Sequence, residues 1–292
     1  MSQNNPTNIA ASFRQKILDK ARRDKRPFSE LLQYYAMERF LYRLSISEYS
    51  NKFILKGGLL FRIWEVNTFR PTMDIDMLGK TENAEENIAK SVKKILLITV
   101  EEDGIVFDPN SIVTERITEN ADYEGIRVRF RGLLDKARLL IQLDIGFGDI
   151  VYPMPSKANL NTVLKDSKSP KLYCYSKESC IAEKLETMIK LQEINSRMKD
   201  FYDIWILINK YNLNVDKLTK AISKTFHQRE TVIPETIIAF TKEFAEEKQA
   251  QWNAFLSKQN LSDIPERLWN VIGQIRDFFN PILSNVRINM DI

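Results

Sequence analysis

The sequence predicts an α+β fold, a mostly antiparallel or mixed sheet with flanking helices followed by an all-helical region, and three observations lead to it. Strand-like alternation is concentrated between residues 105 and 152. Before that, strands and helices do not alternate regularly enough for a doubly wound sheet. After Pro170 the apolar spacing becomes helical and stays so. The division expected from these patterns is an α/β domain over 1–165, including N-terminal helices, and a helical domain over 166–292.

The elements follow in order. Residues 8–23 and 27–46 read as helices; in the second, Phe28, Leu31, Leu32, Tyr35, Met37, Phe40, Leu41 and Leu44 form a wide apolar stripe, and Pro27 suits the first turn. Phe53–Leu55 reads as a short strand, Gly57-Gly58 as a turn and Leu59–Val66 as a helix. Met73–Leu78 is expected as a strand and Ala84–Ile98 as a helix. Ser111–Arg116, Gly125–Arg131 and Arg138–Phe147 are expected strands. Helical periodicity then runs through Lys177–Gln192, Lys199–Tyr211, Val215–Thr225, Pro234–Ser257 and Glu266–Phe279.

Composition narrows the class. With 292 residues, 43% apolar and 28% charged, the chain has the balance of a soluble globular protein. No apolar run has the length of a membrane span, and the polar start MSQNNPTNIAASF lacks the apolar core of a secretion signal. Cys174 and Cys180 have no metal-ligand pattern around them, and the single His227 is too few for a zinc site, so a reducing cytoplasm is expected. Nothing predicts an obligate assembly, and a monomer is expected. The net charge of +4 is compatible with a nucleic-acid partner. The densest basic run, Lys20, Arg22, Arg23, Lys25 and Arg26, reads either as a helix end suited to its dipole or as a phosphate-backbone contact.

The chemistry is carried by acidic residues on strands. Alternation along Met73–Leu78 puts Asp74 and Asp76 on one face and Met73, Ile75 and Met77 on the other. Two carboxylates about 7 Å apart repel one another unless a cation lies between them, and Mg²⁺ takes oxygen ligands of this kind. In Leu139–Phe147 the odd positions are apolar and the even face carries Gln142, Asp144 and Gly146. If this strand lies beside the first, Asp144 is the third carboxylate, and two Mg²⁺ ions held there could activate an acceptor hydroxyl and neutralise a leaving pyrophosphate. Asp-x-Asp on a strand is also common on plain surfaces. Gly57-Gly58, between strand and helix, could hold a phosphate on bare backbone N–H groups or be an ordinary tight turn.

Two misplaced charges mark the helical half. At about 100° per residue, Ile181, Leu185, Met188, Ile189 and Leu191 form the buried arc of Lys177–Gln192, and Glu183, Glu186, Thr187 and Lys190 lie opposite. Lys184 falls inside the apolar arc, where it either snorkels, pairs with an acid or meets a triphosphate. Asp200 projects into the apolar face of the next helix and Asp203 lies at its edge; first-turn capping, stabilisation by the helix dipole and a role in a site are all open.

Taken in order, Lys56-Gly57-Gly58, Arg70-x-Thr72-x-Asp74-Ile75-Asp76, Leu143-Asp144-Ile145-Gly146-Phe147-Gly148-Asp149, the Glu183-Lys184 pair and Arg197-x-Lys199-Asp200-Phe201-Tyr202-Asp203-Ile204-Trp205 make the sequence resemble the AbiEii/AbiGii toxin family of nucleotidyltransferases, within the DNA polymerase β-like superfamily. The resemblance covers roughly residues 30–210. It implies a polymerase-β-like domain and a helical domain with a cleft between them, and transfer of a nucleotide from an NTP to an acceptor hydroxyl. It also implies a toxin of a type IV-like toxin–antitoxin or abortive-infection system in phage defence, with a transcription-factor-like antitoxin as partner. Some relatives add nucleotides to tRNA 3′ ends, which makes tRNA the expected acceptor. Carried over by position, the resemblance implies that Asp74, Asp76 and Asp144 ligate Mg²⁺. Lys184 would meet the triphosphate, and Asp200 or Asp203 would complete the catalytic set. Lys56, Gly57, Gly58, Arg70 and Thr72 would bind nucleotide. The family often has Ser or Thr after the glycines; here Leu59 stands there, leaving the backbone amides.

Two other functions compete. A small-molecule nucleotidyltransferase of the aminoglycoside-resistance type would present an acidic acceptor pocket. An RNA enzyme would present a basic path, and Arg127, Arg129 and Arg131 put three cations on one strand face, although simple exposure of that face explains them equally. A non-catalytic nucleotide- or partner-binding module is the third reading.

Overall fold

The computed structural model describes residues 8–65, 70–119, 123–259, 261 and 264–290, with 118, 119, 123, 259 and 288–290 described in backbone only. The chain divides into two compact units. One comprises Met1–Gly148 and Ser156–Cys174, the other Asp149–Pro155 and Tyr175–Ile292.

In the first unit, helices α1 (Ile9–Arg23) and α2 (Phe28–Ser45) precede strand β1 (Phe53–Lys56). A single 3-10 turn, Gly57–Leu59, leads into the four-residue helix α3 (Leu60–Ile63). Then come β2 (Ile75–Gly79), α4 (Glu85–Leu96), the long strands β3 (Ile105–Glu119), β4 (Tyr123–Leu134) and β5 (Ala137–Phe147), and the short β6 (Ser156–Asn159) and β7 (Lys171–Cys174). The sheet order is β3-β4-β5-β2-β1-β7-β6. It is mixed, since β2 runs parallel to β5 and β1 parallel to β7 while the other neighbours are antiparallel. Pro109 lies inside the edge strand β3, where its missing N–H cannot join a ladder, and the β3–β4 register shifts between Asp108 and Val113.

Alternation on β5 and β4 sends Leu139, Ile141, Leu143, Ile145, Val128 and Phe130 to the buried face, where Phe40 of α2 meets Phe130 at 5.0 Å between ring centres. The expected stripe on α2 is too narrow a description. Glu38, Arg39 and Arg43 are buried as well, because each finds a partner. Arg43 Nη1 lies 2.7 Å from Asp103 Oδ2, Glu38 accepts the Val163 N–H at 2.5 Å and Arg39 donates to the Lys168 carbonyl at 2.7 Å. A buried charge is tolerable only on those terms.

The second unit is helical: α5 (Lys177–Leu191), α6 (Met198–Lys210), α7 (Val215–Gln228), α8 (Lys242–Gln259) and α9 (Leu268–Met290). Its core is formed by residues such as Ile181, Leu185, Phe201, Ile204, Ile222, Trp252 and Ile275. α5 packs on α7, while α6, α7 and α8 pack on α9.

The architecture follows the expected class, with local corrections. Contacts do not divide the chain at 165/166, because β6 and β7 complete the sheet of the first unit. Those two strands have four residues each, too short for alternation to register. Pro27 is the N-cap of α2 rather than part of its first turn. The helix expected over Leu59–Val66 shrinks to the 3-10 turn and α3, and Val66 lies outside the described residues. β2 starts at Ile75, so Met73 is exposed instead of buried. The helix expected over Pro234–Ser257 begins only at Lys242, after a 3-10 turn at Ile238–Phe240.

Candidate active site

Register places the carboxylates. Parallel pairing sets Asp76 of β2 opposite Asp144 of β5, and residues paired across a sheet project to the same side. The rung extends both ways: Lys56 of β1 pairs with Asp76, Arg127 of β4 with Asp144, and Glu115 of β3 with Arg127. Asp74 stands in the bend just before β2. It is held from the side, since Thr72 donates its hydroxyl to Asp74 Oδ1 at 2.7 Å and Thr72 is itself fixed by its N–H to Tyr34 Oη at 2.9 Å. As a result Asp74, Asp76 and Asp144, all half-buried, each offer an oxygen within 4.8 Å of the others.

The glycine turn lies against this cluster. Gly57 has φ +72°, a left-handed conformation suited to glycine, and a Cβ there would stand 1.9 Å from Asp76 Oδ2. A Cβ on Gly58 would meet the Thr72 side chain at 2.9 Å. The backbone therefore approaches the acids as closely as only glycine allows. The helix after it has four residues, so little helix dipole supports the turn. Lys56 is buried at the head of the turn, and Arg70 is half-buried two residues before Thr72.

Three carboxylate oxygens beside a bare backbone turn suit a hard divalent cation. The crowding of like charge is partly relieved by Arg127, which donates Nε and Nη2 to the two oxygens of Asp144, each at 2.8 Å. Those hydrogen bonds hold the Arg127 pKa above its ordinary value. Gln142 donates a further bond to Asp144 at 3.2 Å, and Arg129 pairs with Gln142 and Glu115. Two of the three cations expected as a free basic face are thus committed within the sheet.

The other expected site residues lie in the second unit and form a cluster of their own. Lys184 Nζ is 2.6 Å from Asp200 Oδ1 and 2.9 Å from Asp203 Oδ2, and Arg197 Nε is 2.6 Å from Asp200 Oδ2. Arg197 occupies the N-cap of α6 and no side-chain cap bond is made there, so capping does not account for the aspartates. Burial alone would raise the Asp200 carboxyl, but Lys184 and Arg197 outweigh it and hold it well below the usual carboxylate range. Of the alternatives for Lys184, ion pairing is the one the structure displays.

Sequence reasoning missed Arg229. It lies 2.8 Å from Asp149, 2.7 Å from Glu186 and 3.7 Å from Glu183. Burial would lower its pKa, and these three acids push it well above the ordinary arginine value. Glu186 and Thr187, placed on the exposed side of α5 by periodicity, are 1% and 4% exposed, and this pairing is the reason. The signal was two acids three apart on α5, whose partner lies over 40 positions away.

Residues 39–274 match the family described as nucleotidyl transferase AbiEii toxin, type IV TA system. No match is found among curated proteins. Among solved structures, JHP933 from Helicobacter pylori has a TM-score of 0.48 at 13% identity, over 89% of this chain and 97% of that one. A nucleotidyltransferase candidate from H. pylori has a TM-score of 0.45 at 13% identity, over 90% and 96%. Likeness at that distance says nothing of the site.

Proposed function

This chain belongs to the AbiEii nucleotidyltransferase toxin family of type IV toxin–antitoxin systems, and from that premise we propose that it transfers a nucleoside monophosphate from an NTP to the 3′ end of a tRNA, with Mg²⁺ held by Asp74, Asp76 and Asp144. The observation that carries the reading is the convergence of those three carboxylates beside Gly57.

Each residue has a task in this reading. Asp74, Asp76 and Asp144 hold Mg²⁺, which when bound neutralises phosphate charge and eases deprotonation of the acceptor hydroxyl. Thr72 keeps Asp74 oriented. Gly57 and Gly58 present backbone N–H groups to phosphate where any side chain would intrude, with Lys56 and Arg70 supplying positive charge beside them. Lys184 is assigned the triphosphate contact on the family motif, with Asp200 and Asp203 fixing its ammonium. An antitoxin is the partner that membership of such a system brings, and phage defence is the role proposed for the pair. Among the described residues no helix is long and apolar enough to cross a membrane.

The test is incubation of the protein with each labelled NTP, Mg²⁺ and total tRNA. Label should enter RNA at its 3′ end and fall by roughly a thousandfold in Asp74→Asn, on the scale of losing a key electrostatic group. Label appearing only on protein or on small molecules would overturn the tRNA reading.

A further inference from the structure

The rung that crosses five strands, Glu115–Arg127–Asp144–Asp76–Lys56, contains one cation with two possible acidic partners. Arg127 commits two nitrogens to Asp144 at 2.8 Å each. Its third, Nη1, is directed to the other side of the strand, 3.7 Å from Glu115 Oε1. Glu115 is the more exposed acid, with a side-chain exposure of 45% against 13% for Asp144. Arg129 Nη1 lies 2.9 Å from Glu115 and keeps that carboxylate facing the row.

This arrangement sets two positive charges in competition. With three carboxylates gathered within 4.8 Å, Arg127 is the resident counter-ion of Asp144. A divalent cation entering the trio would take lone pairs that now face the guanidinium and would repel it. Displacement into solvent would leave the arginine uncompensated beside the ion, but Glu115 is within a short side-chain rotation. The register of β3 against β4 makes it the next residue on the same rung.

We propose that Arg127 is a counter-ion latch, bound to Asp144 when no divalent cation is present and transferred to Glu115 when one binds. It is a positioning residue: it keeps the third acid in place and compensated, and frees it for the ion. The inference rests on the Mg²⁺ assignment made above, and the experiment separates the two.

Mn²⁺ binding to the full chain is measured without nucleotide, by electron paramagnetic resonance of the free ion. The proteins are wild type, R127Q, R127K, E115Q and Asp74→Asn, each checked by circular dichroism melting. R127Q should bind Mn²⁺ roughly tenfold more tightly, because the competitor is gone. E115Q should bind several-fold more weakly, because the displaced guanidinium has lost its alternative. R127K should fall between wild type and R127Q. A residue that merely props up the strand would weaken binding on removal, and Glu115 would then have no effect. Unchanged or weaker binding in R127Q, or unchanged or tighter binding in E115Q, overturns the latch. If R127Q fails to fold, E115Q alone decides by the same criterion. Absence of binding in every protein overturns the metal assignment and the latch together. Wild-type binding that Asp74→Asn abolishes and R127Q leaves unchanged overturns the latch alone.

Discussion

The carboxylate rung of the sheet and the ion cluster on α5 and α6 use the same kinds of charge and differ in arrangement and burial. On the helices, Lys184 and Arg197 face Asp200 and Asp203, two against two, and the aspartate side chains are 2% and 0% exposed. On the sheet, Asp74, Asp76 and Asp144 are half-buried and gathered within 4.8 Å of one another, and Arg127 pairs with Asp144 at 2.8 Å. A balanced buried network satisfies itself. Three half-buried carboxylates gathered this closely offer oxygen ligands to a cation from outside. The two regions should therefore answer mutation differently, with the helical cluster losing stability together with triphosphate use and the rung losing function alone.

The largest expected effect tests the first half of that contrast. Lys184→Ala removes the ammonium shared by two buried carboxylates and should cost about 3–5 kcal/mol in chemical denaturation, whereas Asp74→Asn should leave the melting temperature essentially where it was. A loss below about 1 kcal/mol, the level of a surface pair, would break the comparison. Gly57→Ala is intermediate. Its Cβ would stand 1.9 Å from Asp76 Oδ2 at φ +72°, so about 1–3 kcal/mol of backbone strain is expected. Because the intrusion falls on an acid of the trio, nucleotide transfer should drop further than stability does, and equal activity at matched folded fraction would contradict this. The smallest effect concerns acid. The Asp200 carboxyl is depressed in the folded state, so its stabilisation is present above the ordinary aspartate value of about 4 and is lost as pH falls below it. Melting between neutral pH and about pH 2 should show an acid limb that is shallower in Asp200→Asn, and parallel limbs would remove Asp200 from the cause.

How much of this was legible in sequence follows from the range of the interactions. The three carboxylates could be read because alternation within a strand is local and fixes a face. Asp74 reached the cluster by a different route, through Thr72 rather than strand geometry. Arg127 was visible as a cation on a face, but its pairing with Asp144 is a matter of register between β4 and β5, which no single strand displays. Lys184 was conspicuous because a charge interrupted an apolar arc. Glu186 was misplaced because helical periodicity assigns a face without knowing what packs there, and Arg229 supplies the missing neighbour. β6 and β7 carried too few residues for any period.

The route of the chain has a genetic consequence. It leaves the sheet after Gly148, contributes 149–155 to the helical unit, returns to lay down β6 and β7, and then departs again. A gene split or fusion junction at any one position cannot yield both units whole. Recombination that shuffles cassettes would find no single seam here that keeps both units intact.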